Sequence, residues 1–215
     1  MNIANQFDTL WYQGLSLAVV ATVAGTALAV AYQGAAPRIA EAQARKTQAA
    51  LAEVLPKNSF DNELMADTVV VKDDKGADVT VYRARKDGTV NGVVFAMGEK
   101  GYSGTISLVM GVDRDGRITG VRITGHTETP GLGDKIEVAR HPWVLSFDGK
   151  FLGNPPPEQF AVKKDGGIFD QFAGATITPR AVVKAVKRGL ELYAGQRAAM
   201  LGETPAPAPA AAPRS

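Results

Sequence analysis

The sequence TISLVMGVDRDGRITGVRIT, residues 105–124, is the most informative part of the chain about its fold. Two β-branched runs, Thr105–Val112 and Arg117–Thr124, flank the polar sequence DRDG at Asp113–Gly116, which is typical of a tight turn. A parallel crossover needs about a dozen residues or more, so this short turn predicts an antiparallel hairpin.

Three further β-branched runs precede this hairpin: Thr68–Lys72, Val79–Ala84 and Thr89–Ala96. They are separated by two turn sequences, DDKG at Asp73–Gly76 and KDG at Lys86–Gly88. Short connections again favour neighbouring antiparallel strands over βαβ units. The sequence therefore predicts an α+β domain, a mostly antiparallel sheet flanked by helices.

The sequence near the end predicts a helix that closes the core. Thr178 is expected to be the N-cap residue and Pro179 the first helical residue, where the missing proline N–H costs nothing. Apolar residues then recur at spacings of four, four and three, at Val182, Val186, Leu190 and Tyr193. This periodicity predicts one apolar helix face packed against the sheet.

The N-terminal part contains an apolar stretch long enough to cross a membrane. No charged residue lies between Asp8 and Arg38, and the centre of the stretch, Gly14–Tyr32, would span about 28 Å as a helix of roughly 19 residues. A cleaved signal peptide is the alternative, with Ala27–Ala29 as a small-residue cleavage site. Because no Lys or Arg precedes the stretch and it exceeds the usual signal-peptide core, a retained transmembrane helix over about residues 11–33 is favoured.

The residues that follow the span predict a helical stalk. Arg38–Leu55 is rich in Ala, Glu, Gln, Arg and Lys, which are strong helix formers, and Pro56 ends the segment. Arg38, Arg45 and Lys46 would keep the following domain in the cytoplasm by the positive-inside rule. That rule is weak for a single span followed by a long domain.

The expected organisation of the chain has four parts. They are an N-terminal segment with the transmembrane helix (1–37), the stalk (38–56), a globular domain (57–203) and a tail (204–215). The tail is Pro/Ala low-complexity sequence that cannot bury an apolar face, so we expect it to be disordered.

Composition excludes several classes of function. Of 215 residues, 45% are hydrophobic and 21% charged, which is too apolar for a disordered protein, and a net charge of +2 without a basic patch argues against nucleic-acid binding. The absence of Cys excludes disulfides and thiolate chemistry. With only His126 and His141 available, no metal site is expected.

Two segments are rich in Gly and hydroxyl residues: Gly125–Asp134 (GHTETPGLGD) and Asp170–Pro179 (DQFAGATITP). In the first, glycines and a proline permit tight turns and close approach of the backbone to a ligand. A plain connection between strand and helix is the alternative, and His126 alone is more typical of a hydrogen-bonded loop histidine than of a catalyst.

The second segment has the features of a phosphate site. Gly174 and Ala175 leave space beside the Thr176 hydroxyl, which precedes the positive end of the predicted helix. Arg180 and Lys184 on the following turns could support an anion. The alternative is that Thr176 and Thr178 only serve the turn and the cap.

The two segments together resemble those of a known family, the FMN-binding subunits of bacterial membrane electron-transport complexes. These are the G subunit of the Rnf complex and the C subunit of the Na⁺-translocating NADH:quinone oxidoreductase. The family has an N-terminal span, a loop similar to His126–Gly133 and a flavinylation motif Asp-x-x-Ser/Thr-Gly-Ala-Thr, which Asp170–Thr176 resembles. Ala173 stands where the family has Ser or Thr. The resemblance covers the chain except for the Pro/Ala tail.

The resemblance implies that Thr176 carries FMN through a phosphoester bond, made by a Mg²⁺-dependent flavin transferase with FAD as donor. It also implies that Asp170 is recognised by the transferase, and that no residue is catalytic. The other residues implied to contact FMN are Glu128, Thr129, Leu132, Gly174, Ala175, Ile177 and Thr178.

The function implied is that of an electron-carrier subunit, not a complete enzyme, in an ion-translocating ferredoxin:NAD⁺ oxidoreductase of the Rnf type. Its implied partners are membrane lipid, the transferase and the A, B, C, D and E proteins of the Rnf complex. Its implied location is the inner membrane of a bacterium, as a single-pass protein with the flavin domain in the periplasm, against the charge rule. The chain length favours the Rnf protein over its quinone-reductase homologue. A non-redox membrane-tethered binding module of the same fold is the other alternative.

Overall fold

The computed structural model describes residues 3–203, without the side chains of residues 3–10 and 40–48. The predicted tail at 204–215 lies outside the described residues. The chain divides into two compact units, Met1–Lys46 and Thr47–Ser215.

The first unit consists largely of helix α1, which spans Ile3–Glu53 and contains Pro37. Its section Trp11–Ile39 is long and apolar enough to cross a membrane, and none of it is buried within the protein. This is compatible with a single-pass anchor. The division between span and stalk at residue 37 stays a prediction, since the helix continues through that position.

The second unit is built on a five-stranded antiparallel sheet in the order β1-β2-β3-β4-β5. The strands are β1 Thr68–Lys72, β2 Asp78–Lys86, β3 Thr89–Lys100, β4 Thr105–Asp113 and β5 Ile118–Gly125. Each predicted run forms a strand, and the predicted turns contain glycines with positive φ: Gly76, Gly88 and Gly116. The prediction of an α+β fold with an antiparallel sheet is confirmed.

Helix α2, Ile177–Leu201, packs on one face of this sheet. The residues of the predicted apolar face, Val182, Val186, Leu190 and Tyr193, are all buried.

The predicted start of α2 is wrong. Thr176, not Thr178, is the N-cap residue, and Pro179 is the third helical residue. Proline is tolerated throughout the first turn because those N–H groups have no acceptor within the helix, so its presence did not fix the first position.

The opposite face of the sheet is covered by the C-terminal end of α1 and the residues after it. Ala50, Leu51, Val54 and Leu55 form an apolar cluster there with residues of β2, β3 and β4. The backbone of Val54 lies against paired glycines of β4 and β5, Gly111 and Gly120. The Thr119 hydroxyl donates a hydrogen bond to the Val54 carbonyl at 2.5 Å.

The long connection from β5 to α2 contains three short 3₁₀ helices, Gly133–Ile136, Pro142–Phe147 and Lys163–Asp165. Its core is an aromatic cluster of Trp143, Phe147, Phe160, Phe169 and Phe172. The Trp143 indole N–H also donates to the Asp170 carbonyl at 2.8 Å. The cluster thereby fixes the backbone where the second Gly-rich segment begins.

Candidate functional site

A cavity of about 370 Å³ lies where three segments of the second unit meet. These segments are the turn between β3 and β4, the loop after β5, and the start of α2. The residues that line the cavity are Tyr102, Glu128, Thr129, Leu132, Gly133, Gly174, Ala175, Thr176, Ile177 and Thr178. The structure thus brings together all of the residues that the resemblance implied for FMN contact. Asp170 does not line the cavity; its carboxylate lies 2.5 Å from the Lys163 ammonium at the surface.

Glu128 is a buried carboxylate that joins two walls of the cavity; only 4% of it is exposed. Its Oε1 accepts a hydrogen bond from the Ser103 backbone N–H at 2.9 Å, and its Oε2 accepts one from the Thr178 hydroxyl. Thr178 is itself 1% exposed. A buried carboxylate is costly unless it is hydrogen-bonded, so these two donors allow Glu128 to lie inside. They also tie the β3–β4 turn to the first turn of α2.

Glycines make room for the Glu128 side chain. A Cβ atom at Gly101 would lie 2.6 Å from Glu128 Oε1, and one at Gly133 would lie 2.8 Å from Glu128 Cβ. Larger residues at either position would displace the carboxylate from its donors.

His126 supports the loop rather than lining the cavity. Its Nδ1 accepts a hydrogen bond from the Glu128 backbone N–H at 3.1 Å, and its Nε2 lies 3.0 Å from Glu137 Oε1. An accepting Nδ1 leaves the ring hydrogen on Nε2, where it can be donated to Glu137. The structure therefore agrees with a hydrogen-bonded loop histidine.

Thr176 is half-buried, and its side chain makes no hydrogen bond to cap α2. The capping role that was the alternative for this hydroxyl is therefore not realised. Backbone N–H groups in the first turn of a helix have no acceptor within it, and they carry partial positive charge. Before Thr176, Gly174 has φ +82°, and a Cβ there would lie 3.4 Å from the Leu132 side chain. Thr176 thus lines the cavity, and among the described residues its hydroxyl makes no hydrogen bond that caps the helix.

The two cations expected to support a phosphate lie elsewhere. The Arg180 guanidinium donates two hydrogen bonds of 2.6 Å to Asp165, and the Lys184 ammonium donates one of 3.2 Å to Glu99. The bonded Arg180 lowers the pKa of Asp165. Neither cation lines the cavity. The expectation was wrong because acidic residues of other segments, Asp165 and Glu99, bind these two cations and hold them outside the cavity.

Sequence reasoning missed the turn between β3 and β4, which is GYSG at residues 101–104. Tyr102 lines the cavity, and Ser103 donates to Glu128. The signal was present as an aromatic residue bracketed by glycines between two β-branched runs. This turn sequence alone does not indicate a binding site, because turns of this composition usually only connect the two strands of a hairpin.

The second unit contains an FMN-binding domain, because residues 101–191 match the model of that family. The matched range includes every residue that lines the cavity. Sequence relatives then specify the family. A protein from Stutzerimonas stutzeri, named as the G subunit of an ion-translocating oxidoreductase complex, is 45% identical over 91% of this chain and 86% of its own length. A protein of the same name from Pseudomonas aeruginosa is 47% identical over 87% of this chain and 90% of its own.

The chain therefore belongs to the family of G subunits of ion-translocating oxidoreductase complexes. Among solved structures, the C subunit of the Na⁺-translocating NADH-quinone reductase from Parabacteroides distasonis is similar at 28% identity. The match covers 54% of this chain and 61% of that one, with a TM-score of 0.44.

Proposed function

We propose that this chain carries FMN on Thr176 and relays electrons within an ion-translocating ferredoxin:NAD⁺ oxidoreductase of the Rnf type. The observation that carries the proposal is the meeting of the Glu128 loop and the Thr176 segment at one cavity, where the Thr176 hydroxyl has no capping bond. Membership of the G-subunit family favours this assignment over the quinone-reductase homologue.

The cavity residues fit FMN. The cavity volume of about 370 Å³ is within the range of small-molecule sites, about 300–1,000 Å³. Leu132 and Ile177 offer apolar contact to a ring system, and the first turn of α2 offers N–H groups to a phosphate. Glycine at position 174 leaves the approach to Thr176 open. FMN when bound supplies one-electron and two-electron redox chemistry.

Attachment would use the Thr176 hydroxyl as nucleophile. Its oxygen forms a new bond to the phosphorus on the FMN side of FAD, the pyrophosphate P–O bond breaks, and AMP leaves. The hydroxyl proton passes to a base on the transferase. Asp170 is suited to recognition by the transferase because its carboxylate is at the surface while Trp143 fixes its backbone.

After attachment, the protein holds the cofactor in place. Glu128 keeps the β3–β4 turn and α2 together around the cavity. Tyr102, Leu132 and Ile177 are exposed at its rim, so a redox partner can approach closely. We assign the α1 section Trp11–Ile39 to the bacterial inner membrane and the second unit to the periplasmic side, where the A, B, C, D and E proteins of the Rnf complex would be its partners.

A peptide assay tests the proposal. The full-length chain is produced together with a flavin transferase and digested with trypsin, which releases residues 165–180. We expect this peptide to carry an added FMN mass that fragmentation assigns to Thr176 and not to Thr178. The Thr176→Ser variant should keep the modification, and Thr176→Ala should lose it together with the fluorescent band on a denaturing gel. An unmodified wild-type peptide would overturn the proposal and favour a non-redox binding module.

A further inference from the structure

Tyr102 is an exposed aromatic side chain at the rim of the cavity. It is 70% exposed, whereas the other Phe, Tyr and Trp side chains in the described part of the second unit, residues 47–203, are buried or half-buried. Within that part it forms no side-chain hydrogen bond and no aromatic pair. An amphipathic ring at the edge of a cavity, without a protein partner, has the chemistry of a contact for a planar ligand.

The backbone that carries Tyr102 is fixed, although its ring is free. The Gly101 N–H donates to the Gly104 carbonyl at 2.7 Å, which closes the turn, and the Ser103 N–H donates to Glu128. Glycine at both ends lets the turn lie close to the next loop, since a Cβ at Gly101 or Gly104 would force the Glu128 or Thr127 side chain to move. The turn therefore sits directly on the loop that forms the opposite wall.

Both oxygens of Glu128 are used inside the protein. One holds the Tyr102 turn through Ser103, and the other holds the start of α2, next to the proposed attachment point. Glu128 thereby fixes the distance between Tyr102, which could cover the flavin ring, and Thr176, which would hold the flavin phosphate.

We propose that Tyr102 stacks on the isoalloxazine ring of FMN, and that Glu128 is the positioning residue that holds Tyr102 in place. This inference rests on the proposed attachment of FMN to Thr176. Offset stacking of two aromatic planes is favourable beyond the area it buries. It gives Tyr102 a partner that the protein itself does not supply.

Stacking has an optical consequence that attachment alone lacks. A phenol in contact with a photoexcited flavin transfers one electron to it, and the electron returns to the phenol without net reaction, so the fluorescence is quenched. Quenching is lost when the chain unfolds, because the two rings separate. The ratio of flavin fluorescence in the folded and the denatured chain therefore reports stacking, while fluorescence on a denaturing gel reports attachment.

The experiment compares this ratio in full-length flavinylated variants. We expect Tyr102→Ala to raise the folded-state fluorescence severalfold, Tyr102→Trp to keep it low, and the control Tyr82→Phe, on the sheet face covered by Leu51 and Val54, to leave it unchanged. A wild-type chain without flavin on the gel would sink the proposed function. A flavinylated Tyr102→Ala variant with wild-type fluorescence would sink the stacking proposal alone.

Variants of Glu128 distinguish its role in positioning Tyr102 from any effect of its negative charge. Glu128→Gln keeps an oxygen for the Ser103 N–H and a polar group for the Thr178 hydroxyl, so we expect near wild-type quenching. Glu128→Leu removes both contacts, and we expect its fluorescence to rise towards that of Tyr102→Ala. If Gln raised the fluorescence as much as Leu, or if Leu left it low in a folded chain, the positioning role would be refuted.

Discussion

The Thr178 hydroxyl donates a hydrogen bond to the buried Glu128 carboxylate, although the two residues lie 50 positions apart in the chain. This contact is the junction between the loop after β5 and the first turn of α2. It replaces the N-cap role that the sequence suggested for Thr178, because the hydroxyl points into the protein instead of back along the helix.

Replacing Thr178 with Val should destabilise the second unit. Val has a similar shape but no hydroxyl, so one oxygen of the buried Glu128 loses its donor, at a cost of about 1–3 kcal/mol. We expect a lower midpoint of thermal unfolding for the full chain in detergent. Thr178→Ser keeps the donor and should stay close to wild type; equal losses for Val and Ser would contradict the assignment.

A single methyl group at Gly120 should also be destabilising. A Cβ there would lie 2.9 Å from Val54 Cα and 3.1 Å from the Val54 carbonyl oxygen, both backbone atoms that cannot rotate away. Overpacking of this kind costs about 1–3 kcal/mol. Gly98→Ala is the matched control, because its Cβ would meet neighbours only at 3.7 Å. Similar melting temperatures for the two variants would refute the close approach.

Arg188 should make the stability of this unit sensitive to acid. Its guanidinium contacts Asp73, Asp74 and Glu99, and the Arg188 and Glu99 side chains are each 10% exposed. The bond from Arg188 lowers the pKa of Asp74. Burial would raise the pKa of Glu99, but Lys184, Lys75 and Arg188 together lower it.

A carboxyl whose pKa is lower in the folded state stabilises the protein above its unfolded pKa, and that contribution is lost as pH falls towards the folded value. The ordinary values are 3.8 for Asp74 and 4.5 for Glu99. We expect the melting temperature to fall as pH drops below this range, and to fall less in Arg188→Gln. Lys72→Gln, which breaks an exposed pair with Asp78, should leave the pH profile unchanged. Parallel profiles for wild type and Arg188→Gln would argue against the prediction.

Trp143 should influence flavin attachment through its hydrogen bond to the backbone of Asp170. Trp143→Phe keeps an aromatic ring next to Phe147 and Phe172 but removes the hydrogen bond to the Asp170 carbonyl, worth about 1 kcal/mol. We expect slower flavinylation in a time course with purified transferase. Phe147→Leu, which perturbs the same cluster but keeps the Trp143 donor for Asp170, should have a normal rate if it remains folded. An unchanged rate in Trp143→Phe would show that the bond does not matter for recognition.

The orientation of the anchor can be tested with reporter fusions. We expect alkaline phosphatase fused after Ser215 to be active and the chain to stay in the membrane on carbonate extraction. Changing Arg38, Arg45 and Lys46 to Gln should not alter this result, since the long domain overrides the charge rule. An inactive phosphatase together with a fluorescent cytoplasmic reporter would reverse the orientation.

Much of the fold could be predicted because its signals are local. β-Branched runs, Gly-containing turns and the apolar face from Val182 to Tyr193 each depend on a few consecutive residues. The details of the site could not be predicted in the same way. Whether Thr178 caps its helix or bonds Glu128 depends on a contact across 50 positions. The acidic partners of Arg180 and Lys184 come from other segments of the chain. Nothing in the local sequence of Tyr102 indicates a binding role, which follows only from its position beside the cavity.

The order of the strands has a consequence for how the chain matures. Each strand of the sheet pairs with the one synthesised just before it, so the sheet can assemble progressively from its N-terminal side. The cavity, in contrast, needs Tyr102 from the middle of the sheet and Thr176 at the start of the last helix. It is complete only when α2 has docked. Cofactor loading would thereby mark a domain that has finished folding, and a chain cut short before α2 would present no pocket to fill.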